Sequence, residues 1–271
     1  TTYAANWYLE DGSVTVNAGD SGQTVTQDGN SKPDEAPVIT QRDSSAETSN
    51  TITINASENA TANVTISNVN INTSGAAVST GGKGNVNIEL DGTNTLKSGD
   101  WHAGLKKNND GNLTITDKNE NGKLSATGGY EGAGIGGGAY AGGNDITITG
   151  GKVTATGGKY GAGIGGGYLG DSNNITITGG EVTAIGGGLR EHGEKITVSG
   201  DATLKVQGGS GDDWDGAGAG IGNGGYTTEE LTPVNGAETE PDTSNLTTGK
   251  IEYYAPGADM TKDKPTSTTL G

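Results

Sequence analysis

Short runs of alternating apolar and polar residues recur along the chain in three kinds. The first reads VTIS at 64, VNIE at 86, LTIT at 113, ITIT at 146 and 175, and ITVS at 196. The second reads VNIN at 69, TLKS at 95, LSAT at 124, VTAT at 153, VTAI at 182 and TLKV at 203. The third reads AAVS at 76, AGLK at 103 and AGIG at 133, 162 and 219, with GGGL at 186 as a degenerate copy. Alternation with period two predicts half-buried strands. The spacing is as regular as the pattern: Ile146 and Ile175, Val153 and Val182, and Ile135 and Ile164 are each 29 residues apart. Three strands recurring every ~21 to 33 residues predict an all-β fold, a three-sided parallel solenoid.

Stacking the repeats predicts ladders of like residues. Val64, Val86, Leu113, Ile146, Ile175 and Ile196 are expected in one inward column, and Leu96, Leu124, Val153, Val182 and Leu204 in another. Thr65, Asn87, Thr114, Thr147, Thr176 and Thr197 should line the outside of the first wall. The heptapeptide GAGIGGG at 132 and 161, with GAGIGNG at 218, fits a narrow interior in which only Ala or Gly sits beside one Ile. Its alanines and isoleucines (Ala133 and Ile135, Ala162 and Ile164, Ala219 and Ile221) are expected to point inward. The glycines around them would allow bends between walls.

The ends break the pattern and set the domain boundaries. Residues 1–50 carry one good strand at Ser13 to Val16 and then a polar stretch with Pro33 and Pro37, and read as an N-terminal cap and polar loop. Residues 51–257 read as the parallel β-helix, with an acidic insertion at 226–249, and 258–271 as a C-terminal linker. A cap is expected because an open solenoid end exposes a strand edge. Thr1 opens the chain without Met or a signal-like segment, which reads as a mature or excised piece, a monomer within a larger multidomain chain.

Composition changes the picture in two ways. Fifty-two glycines among 271 residues and no Phe allow a core, but a narrow one of small residues. Thirty-three Asp and Glu against 16 Lys and Arg leave a net charge of −17, which provides no basic footprint for nucleic acid or an anionic membrane. The absence of cysteine decides little about compartment.

The repeated GAGIGGG, the ITITGGKVTATGG unit and the leading WYLEDGSVTVNAGD module resemble the Gly-rich repeat domains of large surface and secreted proteins from Gram-positive, often gut-dwelling, bacteria. The resemblance spans roughly residues 5 to 225. It implies a right-handed parallel β-helix with an extracellular location, at the cell surface or secreted. For function it implies adhesion or carbohydrate binding, with a glycan or cell-surface polymer as partner, and no specific mechanism.

Candidate chemistry is sparse. No Ser-His-Asp spacing, HExxH, P-loop or CxxC pattern is present, and GAGIGG lies among strands with no helix to hold a pyrophosphate. Arg190, Glu191 and His192 in GLREHGEK admit a polysaccharide lyase or hydrolase-like reading, against a plain solvated turn. Trp101, Tyr130, Tyr160 and Trp214 all precede the third segment by four to seven residues, and Tyr140 and Tyr168 follow it. Rungs ~4.8 Å apart would line these rings along one edge, as a sugar platform or as a lid over the glycine wall. Asp212, Asp213 and Asp215 around Trp214 admit calcium, or form an ordinary acidic turn, and no cofactor is required. The pairs Thr147-Thr149 and Thr176-Thr178 raise ice binding, on a face roughened by Asn87 and Glu89. The leading expectation is a non-catalytic surface module that binds carbohydrate or adheres, with a passive spacer as the alternative.

Overall fold

The computed structural model describes residues 5–186, 193–209, 220–222, 226–227, 233–234 and 241–271. The chain winds as a three-sided parallel β-helix. Among the described residues the first wall contains eight strands, from Asn6–Tyr8 and Val38–Thr40 through Thr61–Ser67, Asn85–Asp91, Leu113–Thr116, Ile146–Ile148 and Ser172–Ile177 to Gly193–Val198. The second runs from Asn70–Asn72 through Thr93–Lys97, Lys123–Thr127, Lys152–Thr156, Glu181–Ile185 and Thr203–Gln207 to Lys250–Tyr254. The third stacks Val14–Gly19, Ile52–Ala56, Val78–Gly82, Leu105–Lys106, Ile135–Gly136, Ile164–Gly165 and Ile221–Gly222.

Register fixes the core columns. Val86, Leu113, Ile146, Ile175 and Ile196 lie side by side. Ala62 completes that column, and Val64 pairs instead with Ile88, because Thr61–Ser67 is seven residues long and matches Asn85–Asp91 along its whole length. Its neighbour Thr65 accordingly pairs with Glu89, and Asn63 with Asn87. In the second wall, Leu96 lies opposite Ala126, and Asn94 takes the place opposite Leu124. Both slips are of two residues, so the inward faces are preserved. Asn94 is fully buried and satisfied: it accepts from Val69 N–H at 3.2 Å and donates to the carbonyls of Asp91 and Lys123 at 3.0 and 3.2 Å.

The third wall explains the glycines. Val14, Ile52, Val78, Leu105, Ile135, Ile164 and Ile221 form one register column. Ile221–Gly222 neighbours Ile164–Gly165, and the degenerate copy GGGL lies outside the described residues beyond Gly186. Within 132–138 only Gly136 holds a positive φ, +133°, matched by +138° at Gly165. The other glycines of the heptapeptide are required by close approach: a Cβ on Gly134 would lie 2.5 Å from the Thr156 nitrogen and 2.7 Å from the Ala155 carbonyl carbon. That contact also accounts for the small column Ala126, Ala155 and Ala184 on the facing wall. Ala133 and Ala162 are fully buried, but outside the contiguous apolar core that holds Ile135 and Ile164.

The ends are closed by antiparallel additions. Residues 14–50 already serve all three walls, through Val14–Gly19, Val38–Thr40 and a bridge from Thr48 to Ile71. Gly22–Gln27 and Asn30–Pro33 extend the third wall as antiparallel strands over its open edge. At the other end, the stretch after 257 does not run off as a linker. Ser267–Leu270 returns antiparallel along Lys250–Tyr254, guided by hydrogen bonds from the Thr266 N–H and hydroxyl to the Tyr253 carbonyl at 2.7 and 3.0 Å. The last part of the acidic insertion joins the first wall, where Asp242 bridges Thr197 and Leu246 enters the core.

Ile164→Asp places an unpaired charge where the side chain is fully buried and should cost on the order of 4 kcal/mol, whereas Thr147→Ala on the outer face should stay within about 0.5 kcal/mol. Urea unfolding followed by circular dichroism measures both, and equal losses would contradict the inside-outside assignment. Gly158→Ala, whose Cβ would meet the Gly129 carbonyl oxygen at 1.7 Å, should lose roughly 1–3 kcal/mol in the same assay.

Candidate functional site: an aromatic strip beside the glycine wall

The glycine wall is pinched at two successive rungs. Ala133 N–H donates to the Gly137 carbonyl at 3.0 Å, and Ala162 N–H to Gly166 at 2.9 Å, so the segments entering and leaving each two-residue strand emerge side by side. Stacking continues into these loops. Glu131 N–H donates to Asp100 O at 2.6 Å and Tyr160 N–H to Tyr130 O at 3.0 Å among the entering loops; Tyr140 N–H donates to Tyr168 O at 2.6 Å among the leaving ones. Cross-links tie the two sets together, from Ala139 N–H to Trp101 O at 2.9 Å and from Tyr168 N–H to Glu131 O at 2.8 Å. An amide ladder thus places aromatic residues from before and after the wall on one edge. Tyr140 holds a left-handed φ of +59°, and Leu169, at the same place one repeat later, +56°. A bulky residue in that region is uncommon, and its repetition marks a defined loop geometry.

The rings form a connected cluster. Tyr130 and Tyr160 meet edge to face with centroids 4.8 Å apart and a hydroxyl–hydroxyl hydrogen bond of 3.1 Å. Tyr140 and Tyr168 meet edge to face at 5.2 Å, and Tyr160 and Tyr168 are tilted at 5.8 Å. Tyr160 and Tyr168 are half-buried, whereas Tyr130, Trp101 and Tyr140 are 47%, 65% and 70% exposed. Trp101 makes no ring contact with this cluster; its carbonyl accepts from Ala139 N–H at 2.9 Å on the loop beside it. The structure therefore brings Tyr130, Tyr160, Tyr140 and Tyr168 together, with Trp101 on the adjoining loop. Trp214, Asp212, Asp213 and Asp215 lie outside the described residues, as do Arg190, Glu191 and His192.

Cations flank the strip, and the spacing of hydrophobic residues gave no sign of them. Lys159 Nζ stands 5.0 Å from the Tyr160 ring centroid and 5.9 Å from that of Tyr130. Lys106 Nζ lies 3.2 Å from His102 Nδ1. Burial, and secondarily the Lys106 ammonium, hold the His102 imidazole below its ordinary value. Elsewhere, an open groove of about 670 Å³ follows the corner between the first and second walls, where Gly150–Gly151 and Gly179–Gly180 turn between Asp117, Glu120, Lys152 and Asp201. Among the described residues no group of three His, Cys, Asp or Glu is placed to hold a metal. The threonine rank on the first wall is interrupted where Glu89 accepts from the Thr116 hydroxyl and from Lys118 N–H.

His102 should titrate with a midpoint below the ordinary 6.5, read from its imidazole proton resonances, and Lys106→Met should move the midpoint only part of the way back, since burial is the larger cause. The folded state then binds fewer protons than the unfolded chain, so this residue's effect on stability is lost as pH falls below the ordinary value. A midpoint at or above 6.5 would contradict the site geometry.

A family model described as a β-helix repeat matches the chain three times, over residues 120–139, 146–168 and 175–193. No curated protein and no solved structure matches it. The first two matched segments include Ile135–Gly136 and Ile164–Gly165 of the third wall with Tyr130, Tyr160 and Tyr168, and together with the parallel sheets the matches support a β-helix repeat domain.

Proposed function

We propose that the chain is a non-catalytic surface module that binds carbohydrate along the aromatic strip. One observation carries the reading: of the four large apolar side chains exposed among the described residues, three, Trp101, Tyr130 and Tyr140, lie on this single edge. Exposed apolar residues gathered in one place mark a binding surface more often than residues scattered singly. A sugar ring offers an apolar face to an aromatic ring and hydroxyls to the polar groups around it. Lys159, His102 and the exposed phenol hydroxyls supply such groups here. Backbone ladders hold the rings, so little ordering cost falls on binding.

An extracellular setting, at the cell surface or in a secreted multidomain protein, belongs to the same proposal. It accords with the family resemblance and with a net charge of −17. Among the described residues, no helix is long and apolar enough to cross a membrane. The competing reading, a stalk whose rings merely cover the glycine wall, is favoured by the edge-to-face packing of half-buried Tyr160 on Tyr130 and of half-buried Tyr168 on Tyr140.

A glycan array on the 271-residue chain, followed by calorimetry on any retained glycan, separates the two readings. Trp101→Ala and Tyr140→Ala should each weaken retention roughly tenfold, with melting temperatures near the parent's. No retained glycan, together with lower melting temperatures in both variants, would establish the lid.

A further inference from the structure

The tyrosine cluster carries a second chemistry that does not depend on sugar binding. Tyr130 and Tyr160 lie 30 residues apart in sequence, yet their hydroxyl oxygens are 3.1 Å apart at the surface. Their ring centroids are 4.8 Å apart with planes at 74°, and the Tyr160 N–H to Tyr130 carbonyl bond of 3.0 Å anchors one backbone to the other. The carbons ortho to each oxygen are ring neighbours of the carbon that bears it, so a modest rotation about soft ring torsions brings an ortho carbon of each ring into contact. Tyr168 lies 5.8 Å from Tyr160, and Tyr140 5.2 Å from Tyr168, which extends the phenols into a chain along which an oxidising equivalent can pass. The chain has no cysteine and a single methionine, so side-chain oxidation falls mainly on its aromatic residues.

We propose that Tyr130 and Tyr160 form an oxidative cross-linking site, joined by one carbon–carbon bond between their ortho positions. Each phenol gives up one electron and its hydroxyl proton, and the two phenoxyl radicals couple at the ortho carbons. The ortho hydrogens then move to the oxygens as both rings regain aromaticity. The pair loses two hydrogen atoms in all. Hydrogen peroxide, acting through a haem peroxidase, accepts them and leaves as two molecules of water. The product is a staple between adjacent rungs that closes a loop of chain, as a disulfide does, and narrows the unfolded ensemble.

The test treats the dilute 271-residue chain with hydrogen peroxide and a haem peroxidase, then applies intact mass, peptide mapping, dityrosine fluorescence and thermal melting. The expected product is a monomer lighter by two hydrogen atoms, with a peptide joining Tyr130 to Tyr160 and a melting temperature higher by about 5–10 °C. Tyr130→Phe and Tyr160→Phe keep the rings, and each should abolish the product; circular dichroism establishes that at least one remains folded. Tyr253→Phe, on the second wall, should retain it. A bond that survives in a folded Phe variant, maps to another tyrosine pair, or joins two chains overturns the assignment.

Discussion

Between adjacent rungs, where the loops enter the third wall, the backbones lie so close that a Cβ on Gly158 would fall 1.7 Å from the Gly129 carbonyl oxygen, and one on Gly161 2.0 Å from that of Gly132. The rest of the molecule depends on this contact. It permits the wall to narrow to two residues per rung, and it lets the backbone at Gly134 and Gly163 touch the second wall at Ala155 and Ala184. It also brings the entering and leaving loops together outside the wall, where their amides form the ladder that presents the rings. The entropy cost of so many glycines is offset by hydrogen bonds and packing that no larger residue would allow.

Much of this architecture can be read from the chain, because parallel stacking puts like beside like. The columns through Ile146 and Ile175 and through Val153 and Val182 follow from the alternation and the 29-residue spacing. Where repeats decay, matching by leucine or valine alone slips by two residues, as at Val64 and Leu96, and alternation cannot detect a slip that keeps the face. The start of the helix is hidden because Pro33 and Pro37 interrupt the pattern, although the Pro37 carbonyl accepts from Thr65 N–H at 2.9 Å within the first wall. The returning strand Ser267–Leu270 is exposed throughout, and so shows no alternation to find.

The candidate site is legible for a related reason. Tyr130, Tyr160, Tyr140 and Tyr168 sit at near-constant distances from an unmistakable heptapeptide, so the repeat itself places them on one edge. Lys159, Lys106 and His102 have no such signal, because a charged residue in a loop is ordinarily just solvated. Nor does spacing show which rings touch: the pairing of Tyr160 with both Tyr130 and Tyr168 follows from the pinch that sets the two loops side by side. The proposed sugar platform and the proposed cross-linking phenols both rest on that one geometry.

The most direct measurement is of ring-to-ring nuclear Overhauser effects in protein with selectively labelled tyrosine, comparing the parent chain with Gly158→Ala. If glycine stacking positions the strip, the parent shows contacts between Tyr130 and Tyr160 and between Tyr140 and Tyr168, and Gly158→Ala weakens or removes the first while the Trp7 indole N–H, bonded to Asp34 at 2.9 Å near the far end, is unperturbed. Tyrosine contacts that persist unchanged in Gly158→Ala would contradict the account.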